Sequence, residues 1–145
     1  MTTRTIRAVA ILVLCTVISA CASMKSSRAP GTDLSGLHTF YVHQLPADDN
    51  QIGKMISDEL NRMGYTSTYG MAADPPSTVD AIVTYEDKWM WDMSMYLIRL
   101  SVQVREGESR TILASAEDYR PSLERKSPQE MVKEVVNELF KKEAK

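Results

Sequence analysis

Tyr96-Leu97-Ile98-Arg99-Leu100-Ser101-Val102-Gln103-Val104 alternates apolar and polar side chains along its length. Tyr96, Ile98, Leu100, Val102 and Val104 share one parity; Arg99, Ser101 and Gln103 share the other. Successive side chains on a strand point to opposite faces, so the stretch reads as a strand with one buried and one wetter face. Helical spacing would scatter the same residues around an axis. The preceding segment, 80–91, is rich in β-branched and aromatic residues, and Asp92-Met93-Ser94 makes a tight connection between the two. Glu106-Gly107-Glu108-Ser109 is a polar turn with a glycine, followed by a weaker strand in 110–119. Residues 80–119 are therefore expected to form three antiparallel strands in a meander.

Such a meander leaves an apolar face in water unless helices cover it. Two amphipathic helices are on offer. Ile52, Met55, Ile56, Leu60 and Met63 form one stripe in a helix spanning about 50–63, capped by Asp48, Asp49 or Asn50 and stopped at Gly64. Ser127, Pro128 and Glu130 are a capping box opening a second helix with Met131, Val132, Val135, Val136, Leu139 and Phe140 inward. Lys141, Lys142 and Lys145 stand at its negative dipole end. Residues 37–43 and 65–69 are expected as strands on either side of the first helix. The order β-α-β-loop-β-β-β-α implies an α/β (α+β) fold: a two-layer sandwich with about five strands in a mixed sheet, a C-terminal antiparallel meander and two helices on one face.

The N-terminus carries Arg4 and Arg7 ahead of an apolar run at 8–18. This run is short of the roughly 20 residues needed to span a bilayer and has the length of a signal-peptide core. It ends in Ile18-Ser19-Ala20-Cys21, which resembles the lipobox of bacterial lipoproteins. That resemblance implies a signal peptide at 1–20 and an acylated Cys21, and, with no Asp beside the cysteine, sorting to the outer membrane. The alternative is an ordinary signal peptide cut after Ala20 or Ala22. The small, polar, structure-breaking residues that follow make 21–35 the lipidated cysteine and a flexible tether, with the periplasmic domain at 36–145. Cys15 leaves with the signal, so lipidation of Cys21 leaves no free thiol and no disulfide.

The formal charge is −2 over 145 residues, and becomes −4 once Arg4 and Arg7 leave. That balance argues against a nucleic-acid partner.

The segments 80–85, 89–96 and 122–128 together resemble a group of small uncharacterised proteobacterial lipoproteins of unknown domain function. The resemblance covers 34–140. It implies a TolB-N-terminal-like α/β sandwich on the periplasmic side and implies no activity.

Trp89, Trp91, Met93 and Met95 are the most unusual cluster and the candidate site, read as a surface for a partner or a metal. Thioethers and an indole face suit Cu(I). The cluster faintly resembles periplasmic copper-efflux chaperones, with Met93 and Met95 matching their i, i+2 methionines; the Trp spacing departs from that pattern and no His is near. The bland account is a hairpin end packed under the helices. His38 and His43, five apart on a strand, point to opposite faces and cannot share a metal. Asp48-Asp49 and Glu86-Asp87 are adjacent acids better explained by capping and solvation than by catalysis across a cleft. Arg99, Arg110, Arg120, Arg125 and Lys126 offer an anion site or simply a solvated loop.

No catalytic constellation emerges. The expectation is a non-enzymatic outer-membrane lipoprotein, without cofactor, that binds or assembles in the envelope. Its partners are the bilayer, through acylated Cys21, and another envelope protein met by the sheet face or the hairpin tip. The alternative is a carrier of Cu(I) or a small ligand.

Overall fold

The computed structural model describes residues 21–73, 76 and 78–141. The leader expected at 1–20 and the lysines at 142 and 145 lie outside the described residues. The elements in chain order are β1 (Ser23–Arg28), β2 (Thr39–His43), α1 (Ile52–Arg62), β3 (Thr66–Gly70), β4 (Ala81–Asp92), β5 (Ser94–Glu106), β6 (Ile112–Tyr119) and α2 (Pro128–Phe140). They build one mixed sheet in the order β1-β6-β5-β4-β2-β3. The meander β4-β5-β6 is antiparallel as its alternation demands, and β2 runs parallel to both β3 and β4.

Both helices lie on one sheet face and share one core. Ile52, Ile56 and Leu60 of α1 and Met131, Val132, Val135, Val136 and Leu139 of α2 pack with Phe40, Val83, Leu100, Val102 and Val104 of the sheet. Full burial of each such side chain contributes about 1.5–3 kcal/mol before chain entropy is counted. Phe40, Tyr65 and Phe140 close one end, with ring centroids 4.9–5.6 Å apart. The capping box at Ser127 forms as expected: its Oγ accepts from the Glu130 N–H at 3.3 Å and Glu130 accepts from the Ser127 N–H at 2.9 Å.

At α1, Asp48 does the capping from outside the helix. Its two oxygens accept from the N–H groups of Ile52 (2.7 Å) and Gly53 (2.9 Å), while Gln51 takes a left-handed φ of 59°. The phenol of Tyr85 donates to the same carboxylate at 2.9 Å, and burial pushes that phenol above its usual pKa. At the β5-β6 turn, the Gly107 N–H donates to the Asp80 carbonyl at 2.9 Å; a Cβ there would stand 2.1 Å from the Val79 carbonyl oxygen.

Two expectations are corrected. The stretch read as a tether supplies an edge strand, which brings the expected mixed sheet of about five strands to six. Ser23–Arg28 pairs antiparallel with β6 as an edge strand. Met24, Ser26 and Arg28 face the helix side, opposite Asp118, Ala116 and Ala114. Met24 packs against the core, Ser26 donates to Glu138 at 3.1 Å, and Arg28 donates to the terminal carbonyls of α2 at Leu139 (2.9 Å) and Lys141 (3.1 Å). Only one side chain of the six is apolar, so no alternation betrays the strand; backbone pairing and polar contacts hold it. Leu34, also in the expected tether, is buried.

The second correction concerns β5. A bulge between Lys88 and Trp89 sets Trp89 opposite Leu97 while Lys88 faces Arg99, leaving Ile98 as the extra residue. The single parity of Tyr96 to Val104 is thereby broken. Leu97 joins the core with Leu100, Val102 and Val104; Tyr96 and Ile98, though buried, are not part of that cluster.

Candidate functional site

β4 and β5 are the longest strands, and they outrun their neighbours. β2 pairs with β4 only at Ala81, Ile82 and Val83, and β6 ends opposite Arg99. Beyond that level the pair continues alone as a two-stranded ribbon: Trp89 opposite Leu97, Met90 opposite Tyr96, Trp91 opposite Met95, Asp92 opposite Ser94. Met93 makes the turn with a left-handed φ of 58°. Such a backbone costs an L-residue about 1–2 kcal/mol, and a bulky side chain there is an outlier.

Trp91 is 70% exposed, Met93 90% and Met95 58%. Trp89 differs: it is half-buried against the core, with its indole N–H donating to Asp87 at 2.6 Å. The structure thus divides the sequence-predicted cluster. Trp89 roots the ribbon in the domain; Trp91 and Met95, a cross-strand pair, and Met93 at the turn project from it. Leu123, 91% exposed, stands next to Ser122, whose hydroxyl donates to Asp92. Nothing in the local pattern around Leu123 marked it for this neighbourhood, because the hydrogen bond joins segments some 30 residues apart.

The opposite ribbon face is fastened by Arg125. Its guanidinium lies 4.2 Å from the Tyr96 ring centroid and donates to the Asp92 carboxylate and carbonyl, both at 2.8 Å, and to the Ser94 hydroxyl at 3.1 Å. The Ser122 hydroxyl and then Arg125 hold the Asp92 carboxyl below the usual range. The tip therefore offers apolar surface with its acid already matched.

The other candidates are taken up by the fold. Arg120 donates to Asp118 (2.8 Å) and Glu134 (2.9 Å), and Lys126 also reaches Glu134. Arg99 lies beside Glu117 at 4.0 Å and over the Tyr119 ring. Of the cations expected as an anion site, Arg120 and Lys126 meet at Glu134, while Arg99 and Arg125 pair elsewhere with Glu117 and Asp92. Asp118 is fully buried, and its Oδ2 finds no partner among the described residues. Burial pushes its pKa up, against the pull of Arg120. His38 and His43 stay on the β2 side of the sheet, away from the tip, where the His38 and Thr39 N–H groups donate to Asp80. Among the described residues no three His, Cys, Asp or Glu side chains gather as a metal site. Cys21 is exposed, two residues ahead of β1.

With the fold in view, likeness to solved structures becomes interpretable. The fold resembles that of PelC. PelC from Paraburkholderia phytofirmans, crystallised as a dodecamer, superposes with TM-scores of 0.59 and 0.57 in two crystal forms, at 9% and 10% identity, over 83% of this chain and 96% of that one. A PDZ domain protein from Parabacteroides distasonis superposes at 0.52 with 13% identity, over 85% of this chain and 37% of that one. TolB from Acinetobacter baumannii reaches 0.43 at 13% identity, over 83% of this chain and 29% of that one. No protein-family profile and no curated protein matches the sequence. At such identities the likeness to PelC is one of fold alone.

Proposed function

We propose that this chain is a lipid-anchored, non-enzymatic module of the cell envelope, held at the periplasmic face of the outer membrane through Cys21 and acting by contact and assembly. The observation that carries this reading is the ribbon. Its base is rooted by Trp89, Tyr96 and Leu97, while its outer end runs past the core and bears exposed Trp91, Met93 and Met95. A projection of that kind serves contact, since large exposed aromatic and Met side chains make good anchors. The ionisable groups support the same view, because Asp48, Asp92, Asp118, Arg120 and Arg125 are each engaged in fastening one element to another. The lipobox supports anchoring. The dodecameric state of the PelC fold supports assembly as one use of this architecture. A shallow depression of about 280 Å³ on the outer sheet face, with Lys25, Ser27, Ser101, Gln103, Ser115 and Glu117 in its lining, offers a polar surface for a protein partner.

The Cu(I)-carrier alternative has less behind it. Met93 and Met95 sit at the turn and just beyond it, while His43 ends β2 and His38 immediately precedes that strand.

The deciding experiment is mass spectrometry of the mature N-terminal peptide, with fractionation of the envelope and in-membrane cross-linking. The reading expects diacylglyceryl on the Cys21 sulfur, an acylated amine, recovery with the outer membrane, and cross-linked partners. An unmodified N-terminus or recovery in the soluble fraction overturns the anchoring; an uncross-linked monomer overturns the assembly.

A further inference from the structure

From the strand register we infer that the β4-β5 tip is a second membrane contact: Trp91, Met93 and Met95 enter the interface of the bilayer to which Cys21 is anchored. The inference rests on acylation of Cys21 and adds the occupant of the tip. Ser23 of β1, Tyr119 of β6, Arg99 of β5 and Lys88 of β4 lie side by side across the sheet. β1 and β5 are both antiparallel to β6, so they run in the same direction. The residues before Ser23 thus head the same way as the residues before Arg99. Cys21 and the ribbon tip leave the same end of the sheet.

Magnitudes decide which reaches further. Two residues at about 3.3 Å each carry Cys21 some 7 Å beyond the Ser23 level. The tip lies roughly five strand positions beyond Arg99 once the bulge is discounted, or about 17 Å. Two strand steps of about 20–25° twist reduce this to about 12 Å along β1. The tip therefore reaches at least as far as a fully extended Cys21. Had residues 21–35 been a free tether, the domain would stand well off the surface and the tip could point anywhere. With β1 beginning at Ser23, seating the acyl chains brings the tip to the bilayer.

The side chains suit that destination. Trp favours the membrane interface, and Met is apolar and adaptable. Asp92, the one acid within the ribbon's last turn, is matched by Arg125. Behind the tip, Lys88 and Arg99 face each other across the strands, with Glu117 4.0 Å from Arg99.

The test uses the full-length acylated protein in vesicles of phosphatidylethanolamine and phosphatidylglycerol, with and without brominated phosphatidylcholine. Trp89→Phe leaves Trp91 as the reporter. The inference expects flotation with the vesicles, a blue-shifted Trp91 emission, and at least a twofold loss of emission to the brominated lipid. Flotation without quenching, with Trp91 open to aqueous acrylamide, overturns the tip contact and leaves the lipoprotein reading standing. Trp91 shielded from acrylamide, unquenched by lipid and cross-linked to a protein assigns the tip to a protein partner and also overturns it. Failure to float, with an unmodified Cys21, overturns both.

Discussion

The Arg125 guanidinium carbon lies over the Tyr96 ring, 4.2 Å from its centroid, and so clamps the loop before α2 to the projecting ribbon. The same group donates to Asp92 and Ser94 on the two sides of the turn. A two-stranded ribbon is marginal in water by itself, so an external fastening of this kind gives it a single direction.

Arg125→Ala is expected to lower stability by about 1 kcal/mol, chiefly because the guanidinium no longer stacks on the Tyr96 ring. Amide exchange at residues 90–96 should quicken more than exchange in the core. Arg125→Lys should rescue little, because an ammonium neither stacks flat nor spans three acceptors. Unchanged exchange at the tip in Arg125→Ala would show that the ribbon holds itself.

Asp118 makes a prediction in pH. Its folded pKa is raised above the ordinary 3.8 by burial. A carboxyl raised on folding contributes stability that is present below 3.8 and is lost as pH climbs through the folded value. The stability of wild type minus that of Asp118→Asn should therefore be greatest in acid, fall as pH rises through the folded value, and then level. Each tenfold difference in proton affinity corresponds to about 1.4 kcal/mol. Urea unfolding of both proteins across that range measures it. A difference that grows with pH would mean that Arg120 outweighs desolvation.

Arg28 closes the carbonyl end of α2 from the edge strand. Arg28→Ala should cost about 1 kcal/mol, a Tm fall of roughly 3–5 °C. Hydrogen exchange should find protected amides within residues 23–28 of the wild type. Free exchange there would return this stretch to a tether and remove the geometry behind the tip's approach to the membrane.

Met93 holds a left-handed backbone at the tip while 90% exposed. Met93→Gly relieves that conformation but adds freedom to the unfolded chain, and should leave a net gain of about 0.5–1 kcal/mol. Calorimetry should record a higher Tm, and vesicle experiments a weaker quenching of Trp91. A variant that is more stable yet engages vesicles less well would mark Met93 as kept for the membrane. A lower Tm would mean that its side chain packs in the free protein.

The elements that were legible have local causes. The capping box at Ser127 and the stripes of both helices depend on residues within a few positions of each other. β4, β5 and β6 are joined by short turns, so their alternation and their pairing are both local. β1 was not legible. Its side chains are polar, its partner strand lies far along the chain, and its stabilisation is a backbone ladder with no apolar period. The bulge at Lys88/Trp89 escaped for a related reason: it belongs to the pairing of two strands and leaves no mark on either alone.

The candidate site shows the same division. Composition alone singled out Trp89, Trp91, Met93 and Met95, and the turn at Asp92-Met93-Ser94 follows from local chemistry. Which of them are rooted and which project depends on where β2 and β6 stop, and strand ends are decided by neighbours.

Helices and meander were thus determined by spacing within short windows, where a side chain's period dictates which face meets water. The direction of the ribbon, the edge position of β1 and the shared end occupied by Cys21 and the tip were decided only in the folded sheet. The reason is physical: hydrogen-bond register sets where strands begin and end relative to one another, and register is a property of the assembled ladder.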